Sequence, residues 1–326
     1  MSRKALVTGA TGFVGQHLVR QLVDHGWWVR VLCRSDSATG ELPLDQIERV
    51  AGDITDADAV ARGCDQPFDA VFHVAASTSM WRRNNTHQTR VNVDGTHNLL
   101  MAAREAGVAR FVHTSTVSVY GFPEDIIDEN TPWDSSSNWI NYFRSKREAE
   151  TLVREAGKSG LDAVILNPAN LLGPLDQRNW IQLIRRVAHQ DLPGIPPGTG
   201  SFADVREVAR AHRRAVDHGG SGENYLLGGV NARIADVIRS AAQILEVPVK
   251  ARPVPPLLLR LLGQVHAIAG LRGVEPKLTP EKAALASQDC RVDSSKAQRA
   301  LDYRITPLDQ LLRDTIDWAR SAGALD

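Results

Sequence analysis

The chain has 326 residues, 43% of them apolar by type, with 38 basic and 38 acidic side chains and so no formal net charge. That length and apolar content suffice for a buried core in one large domain or two modest ones. The balanced charge argues against a dedicated nucleic-acid binder, which carries a basic excess. Cys33, Cys64 and Cys290 lie far apart with no C-x-x-C spacing, so reduced thiols in a cytoplasmic protein are expected.

MSRKALVTGA enters a β-pattern at once, leaving no room for a signal peptide. ALVTG (5–9) reads as the first strand, and the residues after it have apolar side chains at helical spacing. Further strands are expected at 28–33, 47–53, 69–76, 110–115 and 162–168, separated by helical stretches such as 93–107 and 145–160. Strands alternating with helices imply parallel βαβ units with both sheet faces covered. After Pro168 the rhythm changes. Residues 168–201 are rich in Pro, Gly and Asn with one helix near 179–189, and 202–219 and 223–229 read as another helix and strand of the main sheet. From 231 onward the pattern is mostly helical. The expected fold is α/β: a doubly wound parallel sheet (1–167 plus 202–230) and a smaller, mostly helical C-terminal substrate lobe (168–201 plus 231–326), with a cleft between them. PVPPLLLRLLGQVHAIAGL (253–271) is too short, and too interrupted by Arg260 and His266, to span a bilayer. It is expected to pack on the protein's own core or to make a peripheral contact with something apolar.

TGATGFVG (8–15) carries the first chemical signal, because Gly9, Gly12 and Gly15 directly follow a strand and open a helix. Gly9 permits the tight turn, Gly12 lets a pyrophosphate approach the backbone, and Gly15 lets helix and sheet pack closely. Thr11, Phe13 and Val14 fill the intervals of the same loop, and the helix N-terminus aims its N–H groups at phosphate. The second strand ends in VLCRSDS. A carboxylate there would hold a ribose 2′-hydroxyl, but Cys33 occupies the position, and Arg34 with Ser35 suits a 2′-phosphate instead. NADP(H) is therefore favoured over NAD(H), although Asp36 could reach a ribose. In GDI (52–54), Asp53 and Ile54 fall where adenine would lie, with helix capping as the plainer role for Asp53.

NYFRSK (141–146) places Tyr142 one helical turn before Lys146, so both side chains emerge on one face. A phenol titrates near 10, and a neighbouring ammonium is expected to lower that value and make Tyr142 an acid/base. Ser77 and Trp81 follow the fourth strand where the cleft opens, Trp139 lies three residues before Tyr142, and Trp180 and Phe202 flank the smaller lobe. Together with 253–271 they suggest an apolar substrate. Arg178, Arg185, Arg186 and Arg233 are the candidates for holding a sugar-nucleotide diphosphate. His73 and His113, at strand ends, read as packing residues, and no metal site is expected.

TGATGFVG, GDI, HVAA, VNVDGT, HTSTVSVYG, YFRSK and NPANLLGP occur in this order, and with them the chain resembles an extended short-chain dehydrogenase/reductase of the NAD-dependent epimerase/dehydratase family. It is most similar to the dihydroflavonol-reductase-like and 3β-hydroxysteroid-dehydrogenase-like branch. The resemblance implies a Rossmann sheet of about seven strands and a homodimer, here through 93–107 and 142–158. It also implies Tyr142 and Lys146 as the catalytic pair and Thr116 as the third catalytic residue, with Ser115 beside it as the fallback. Asn92 matches the family's NV-x-GT asparagine. Ala75 and Ala76 match the segment passing the cofactor ribose, and Asn167 with Pro168 the strand end beside the nicotinamide. Val117 and Ser118 follow Thr116 where family dehydratases carry Asp-Glu, which disfavours that chemistry. Three readings follow: an NADP(H)-dependent oxidoreductase acting on an apolar carbonyl or alcohol, a nucleotide-sugar epimerase with tightly held NAD, and a non-catalytic dinucleotide sensor.

Overall fold

The computed structural model describes residues 2–133, 139–269 and 274–325, so residues 270 and 271 of the apolar segment lie outside the described residues. The strands are β1 (Lys4–Thr8), β2 (Trp28–Cys33), β3 (Ile47–Ala51), β4 (Ala70–His73), β5 (Phe111–Thr114), β6 (Ala163–Pro168), β7 (Asn170–Leu172), β8 (Thr199–Asp204), β9 (Asn224–Leu227) and β10 (Val230–Arg233). The helices are α1 (Phe13–Asp24), α2 (Ala57–Gly63), α3 (Asn85–Thr89), α4 (Gly95–Glu105), α5 (Asn141–Lys158), α6 (Ile181–Ala188), α7 (Val205–His218), α8 (Ile234–Leu245), α9 (Pro256–Ala269), α10 (Pro280–Leu285), α11 (Ser295–Leu301) and α12 (Leu308–Ser321).

Seven strands pair in the order β3-β2-β1-β4-β5-β6-β9, every neighbour parallel. β4 and β6 are buried along their whole lengths, as parallel strands covered on both faces must be, whereas edge strand β3 stays half-exposed. One face packs on α1, α7 and α11 through Val14, Leu18, Val208 and Leu301, and the other on α2, α4 and α5 through Val60, Leu99 and Val153. Strand order reverses between β1 and β4, which opens a crevice at their carboxyl ends.

A second sheet, β10-β8-β7, builds the smaller lobe. Its core joins α6, α8 and α12 through Ile181, Ile184, Ile238, Leu312 and Ile316. Here the structure departs from the sequence expectation. Residues 202–204 complete β8 rather than begin a helix, and β8 pairs in the small sheet. Asp204 then caps α7, its carboxylate accepting from the Arg206 N–H, so the strand-to-helix switch falls at that residue. Residues 230–233 likewise form β10. The C-terminal part of the chain also returns to the large sheet, where the Tyr303 hydroxyl donates to the Gly228 carbonyl at 2.7 Å.

α5 begins at Asn141 and carries both Tyr142 and Lys146, as their spacing predicts. α3 and α4 are joined by a π-helical turn, Arg90–Asp94, which carries Asn92; such turns recur at functional sites.

Candidate active site

The β1–α1 loop has the geometry its glycines require. Gly9 has φ +71°, and a side chain there would collide with the Ala75 backbone. A Cβ on Gly15 would strike the Gly9 carbonyl, so that residue sets how closely α1 approaches the sheet. A Cβ on Gly12 would meet only the Gly9 carbonyl, at 3.2 Å, and would otherwise project into open space. Gly12 is the N-cap of α1 and offers no side chain to the first-turn N–H groups. Those groups, from Phe13 and Val14 onward, and the cradle a side chain at Gly12 would fill, fit a dinucleotide pyrophosphate. Ala75, on the loop after β4, lies alongside, its N–H 3.4 Å from Thr8 Oγ1. Ala76 is exposed beside it.

Tyr142, Lys146 and Thr116 come together at the carboxyl end of β5. The Thr116 side chain stands beside the Tyr142 phenol and favours its ionised form; its Oγ1 donates to Ser118 Oγ at 3.3 Å and accepts from the Ser118 N–H at 3.2 Å. Tyr142 is partly exposed, whereas Lys146 is buried. Lys146 Nζ donates to the Thr114 carbonyl at 2.7 Å. Burial lowers the lysine to about 8, with the Glu150 carboxylate opposing the shift. The expected depression of the phenol by Lys146 does not hold here. Burial pushes Tyr142 above its ordinary value and the neighbouring Thr116 hydroxyl only partly offsets it, while the ammonium is engaged with a backbone carbonyl.

Glu150, one turn beyond Lys146, was missed by sequence reasoning. It is fully buried. Oε2 accepts from Ser115 Oγ at 2.5 Å and from Asn167 Nδ2 at 2.9 Å, and Oε1 accepts from Arg154 at 2.7 Å. Asn167 Nδ2 also reaches the Thr116 carbonyl at 3.2 Å. Glu150 thus ties together the ends of β5 and β6, and it directs Ser115 away from the phenol, leaving Thr116 as the hydroxyl beside Tyr142. Pro168 is buried at the end of β6. The i, i+4, i+8 spacing of Tyr142, Lys146 and Glu150 could have signalled the carboxylate. Asn92, buried in the π-turn, accepts the Ser77 N–H at 2.7 Å and donates to Ser145 Oγ at 3.0 Å, pinning the loop after β4 to α5.

Behind the site lie three buried histidines. His73 Nδ1 sits 2.8 Å from Thr8 Oγ1 and Nε2 2.9 Å from Thr96 Oγ1. The His73 and His113 rings are 5.3 Å apart, and neither His113 nitrogen has a hydrogen-bond partner. His212 Nε2 is 2.8 Å from Thr114 Oγ1. Burial lowers His73 to about 3 and His212 to about 4, and with Lys146 nearby lowers His113 well below the usual range. The described residues contain no cluster that could hold a metal ion.

At the far end of the crevice, Cys33 is buried and Arg34 is exposed, the latter 3.4 Å from Asp36. Arg49, across the β2–β3 pairing, places its guanidinium 3.9 Å from Cys33 Sγ, a second cation that strand reading alone did not indicate. Asp53 Oδ1 accepts from the N–H and hydroxyl of Thr55, and the cap of α2 is Asp56. Burial would raise the Asp53 carboxyl, but the two Thr55 hydrogen bonds, with smaller help from Arg34 and Arg90, hold it below its usual range. Ile54 packs its side chain toward α4 and gives its carbonyl to Asn98.

On the substrate side, Tyr142 belongs to an apolar cluster with Met80, Phe122, Phe143 and Leu285. Trp81 and Trp139 stand nearby in sequence, each ring faced by a guanidinium, Arg83 and Arg82 respectively. Phe202 is corrected: it is 0% exposed in the core of the smaller lobe, because β8 turns it inward. Trp180 packs edge-on against it at 4.8 Å and belongs to the same core. Arg185 gives its guanidinium to the Ala324 carbonyl.

Comparison with known proteins agrees with this geometry. The chain is 31% identical to a putative dihydroflavonol 4-reductase of Synechocystis sp., over 97% of this chain and 94% of that one. It is also 31% identical to sterol demethylase protein B of Methylococcus capsulatus, over 98% and 99% of the two chains. The crystal structure of gox2253 superposes with a TM-score of 0.87 at 32% identity, covering 100% of both chains. Residues 5–228 match the NAD dependent epimerase/dehydratase family. With the glycine loop, the Tyr142–Lys146 helix and the seven-stranded Rossmann sheet in register, the chain belongs to that family and is an enzyme of the extended short-chain dehydrogenase/reductase type.

Proposed function

We propose that the protein is an NADP(H)-dependent reductase or dehydrogenase acting on a carbonyl or secondary alcohol of an apolar small molecule. The observation that carries this reading is the apolar cluster to which Tyr142 belongs: with Met80, Phe122 and Leu285 it packs against the buried Ile140, Phe143 and Ala284. The reductase and sterol names of the full-length relatives support the same reading.

The Gly9–Gly15 loop, Asn92, Lys146 and the end of β6 would hold the dinucleotide, and the nicotinamide, when bound, supplies the hydride. The chain's own residues manage the proton. A phenol pushed up by burial keeps its proton at neutral pH, which suits an acid that protonates the oxygen of a carbonyl undergoing reduction. Thr116 stabilises the phenolate left behind and shares the substrate oxygen. Lys146, lowered to about 8, remains largely cationic at pH 7 and can compensate that charge. In the oxidative direction the same phenol oxygen takes the alcohol proton. A homodimer through α4 and α5 belongs to the proposal, and Met101 on α4 stands exposed for such a contact.

Support for the phosphorylated cofactor comes from Arg34 and Arg49 beside Cys33. Charge-assisted hydrogen bonds of this kind are worth about 1.5–3 kcal/mol each, so Arg34→Ala is expected to raise the KM for NADPH roughly tenfold or more and leave that for NADH nearly unchanged. The test is a panel of apolar ketones, aldehydes and nucleotide sugars, with NADPH and NADH oxidation followed optically. Oxidation of NADPH by an apolar carbonyl is expected. Purification with bound nicotinamide, and conversion of a nucleotide sugar without net NADPH consumption, would reject this reading in favour of an epimerase.

A further inference from the structure

Among the described residues, seven of the twelve exposed large apolar side chains lie between 249 and 274: Val249, Leu257, Leu258, Leu261, Leu262, Val265 and Val274. Five of them share one side of α9, from Leu257 at 71% exposed to Val265 at 62%, at positions i, i+1, i+4, i+5 and i+8. The opposite side, Leu259 and Gly263, is buried, and a Cβ on Gly263 would fall 2.9 Å from Ala283 Cβ on α10. The helix is therefore seated on the protein by a narrow stripe while its broad apolar side faces out, which is unusual unless something covers it.

The charge around this face bears on what could cover it. From 247 to 274 the sequence contains Lys250, Arg252, Arg260 and Arg272 and no Asp or Glu, with Glu246 and Glu275 bounding the stretch and Glu275 paired to Lys282. Beside the helix lies a cavity of about 410 Å³, lined by Arg186, Lys250 and Arg252 together with Val187, Ile238 and Leu258. Its lining combines cations with apolar side chains and includes no carboxylate. Leu258 belongs to both the cavity and the exposed face, so the two are continuous. Leucines that can sink to the level of acyl chains, flanked by cations at the level of phosphates, match an anionic lipid surface. No helix among the described residues is long and apolar enough to cross a membrane, so the contact would be interfacial. The position also matters: α9 packs on α10, and α10 contributes Ala284 and Leu285 to the apolar cluster around Tyr142.

We propose that α9, with the adjacent Lys250–Arg252 cavity, docks this protein reversibly on anionic membrane, with the substrate cleft opening beside the lipid surface. Docking stands on the exposed face and its charge alone. That the cleft draws its substrate from the bilayer rests on the function proposed above.

The test is sedimentation of the full-length protein with vesicles of phosphatidylcholine alone and of phosphatidylcholine mixed with phosphatidylglycerol. Binding is expected with the anionic vesicles and should weaken as salt screens the cations. The double variant Leu261→Glu/Val265→Glu, on exposed positions, should lose about tenfold or more of vesicle affinity, and Lys250→Glu/Arg252→Glu should lose the preference for the anionic lipid. Unchanged NADPH binding in both variants verifies their fold. Vesicle binding requires no turnover, so it can succeed if the reductase reading fails, and fail if that reading succeeds. Absence of wild-type binding, equal binding by the double variant, or a wild-type dimer that Leu261→Glu/Val265→Glu dissociates would each overturn the proposal, the last by identifying the face as a contact between copies.

Discussion

Tyr142→Phe is expected to lower kcat by roughly 10²–10⁴-fold, about 3–5 kcal/mol of barrier, with little change in NADPH affinity. The substitution removes one oxygen and keeps the ring that packs, like Met80, Phe122 and Leu285, against Ile140, Phe143 and Ala284, so the apolar cluster survives. What disappears is the only proton the site can deliver from Tyr142. Lys146 does not substitute for it, because its ammonium is buried and bonded to the Thr114 carbonyl. Steady-state kinetics with NADPH titration by fluorescence separate the two effects. Unimpaired turnover would mean that another group is the acid.

Acidification is expected to destabilise the fold steeply between about pH 6.5 and pH 4. His73, His113 and His212 are fully buried and neutral, with folded values of about 3 for His73 and about 4 for His212, and one well below the usual range for His113. In the unfolded chain each takes a proton near its ordinary value of about 6.5. The unfolded state therefore binds more protons below that pH, so stability is full above about 6.5 and is lost as pH falls toward the folded values. Three such sites give a limiting slope of roughly 4 kcal/mol per pH unit, against a total stability of about 5–15 kcal/mol for a typical protein. Urea unfolding at pH 7.5, 6 and 5 measures the slope. His212→Gln, which can still hydrogen-bond to Thr114 Oγ1, should reduce proton uptake by about one. A stability independent of pH over this range would show that the rings already bear charge in the fold.

Much of the site was legible in the sequence because its geometry is local. Gly9, Gly12 and Gly15 fix a turn whose backbone shape depends on a few neighbouring residues, and Tyr142 and Lys146 share a helix face by spacing alone. The alternation of strands and helices likewise fixed the parallel sheet. What escaped depends on pairing across the fold. Arg49 reaches Cys33 only through the β2–β3 register. Glu150 gains its meaning from Ser115 on the β5 side and Asn167 on β6. Phe202, expected to flank the smaller lobe, is turned into its core by strand pairing in the small sheet, which no local pattern displays. Met80, Phe122 and Leu285 come from three separate segments, and no window of sequence displays them as neighbours.

The crevice at the carboxyl edge of the β-sheet is expected to receive the nicotinamide with the Tyr142 oxygen facing its reactive edge. A crystal structure of the protein soaked with NADP+ tests this most directly, without knowledge of the substrate. The pyrophosphate is predicted at the Gly12 end of α1, the 2′-phosphate against Arg34 and Arg49, and the Tyr142 hydroxyl turned toward C4 of the nicotinamide with room between them for a carbonyl. A nicotinamide bound elsewhere, or a phenol turned out of the crevice, would contradict the assignment of Tyr142 as the acid.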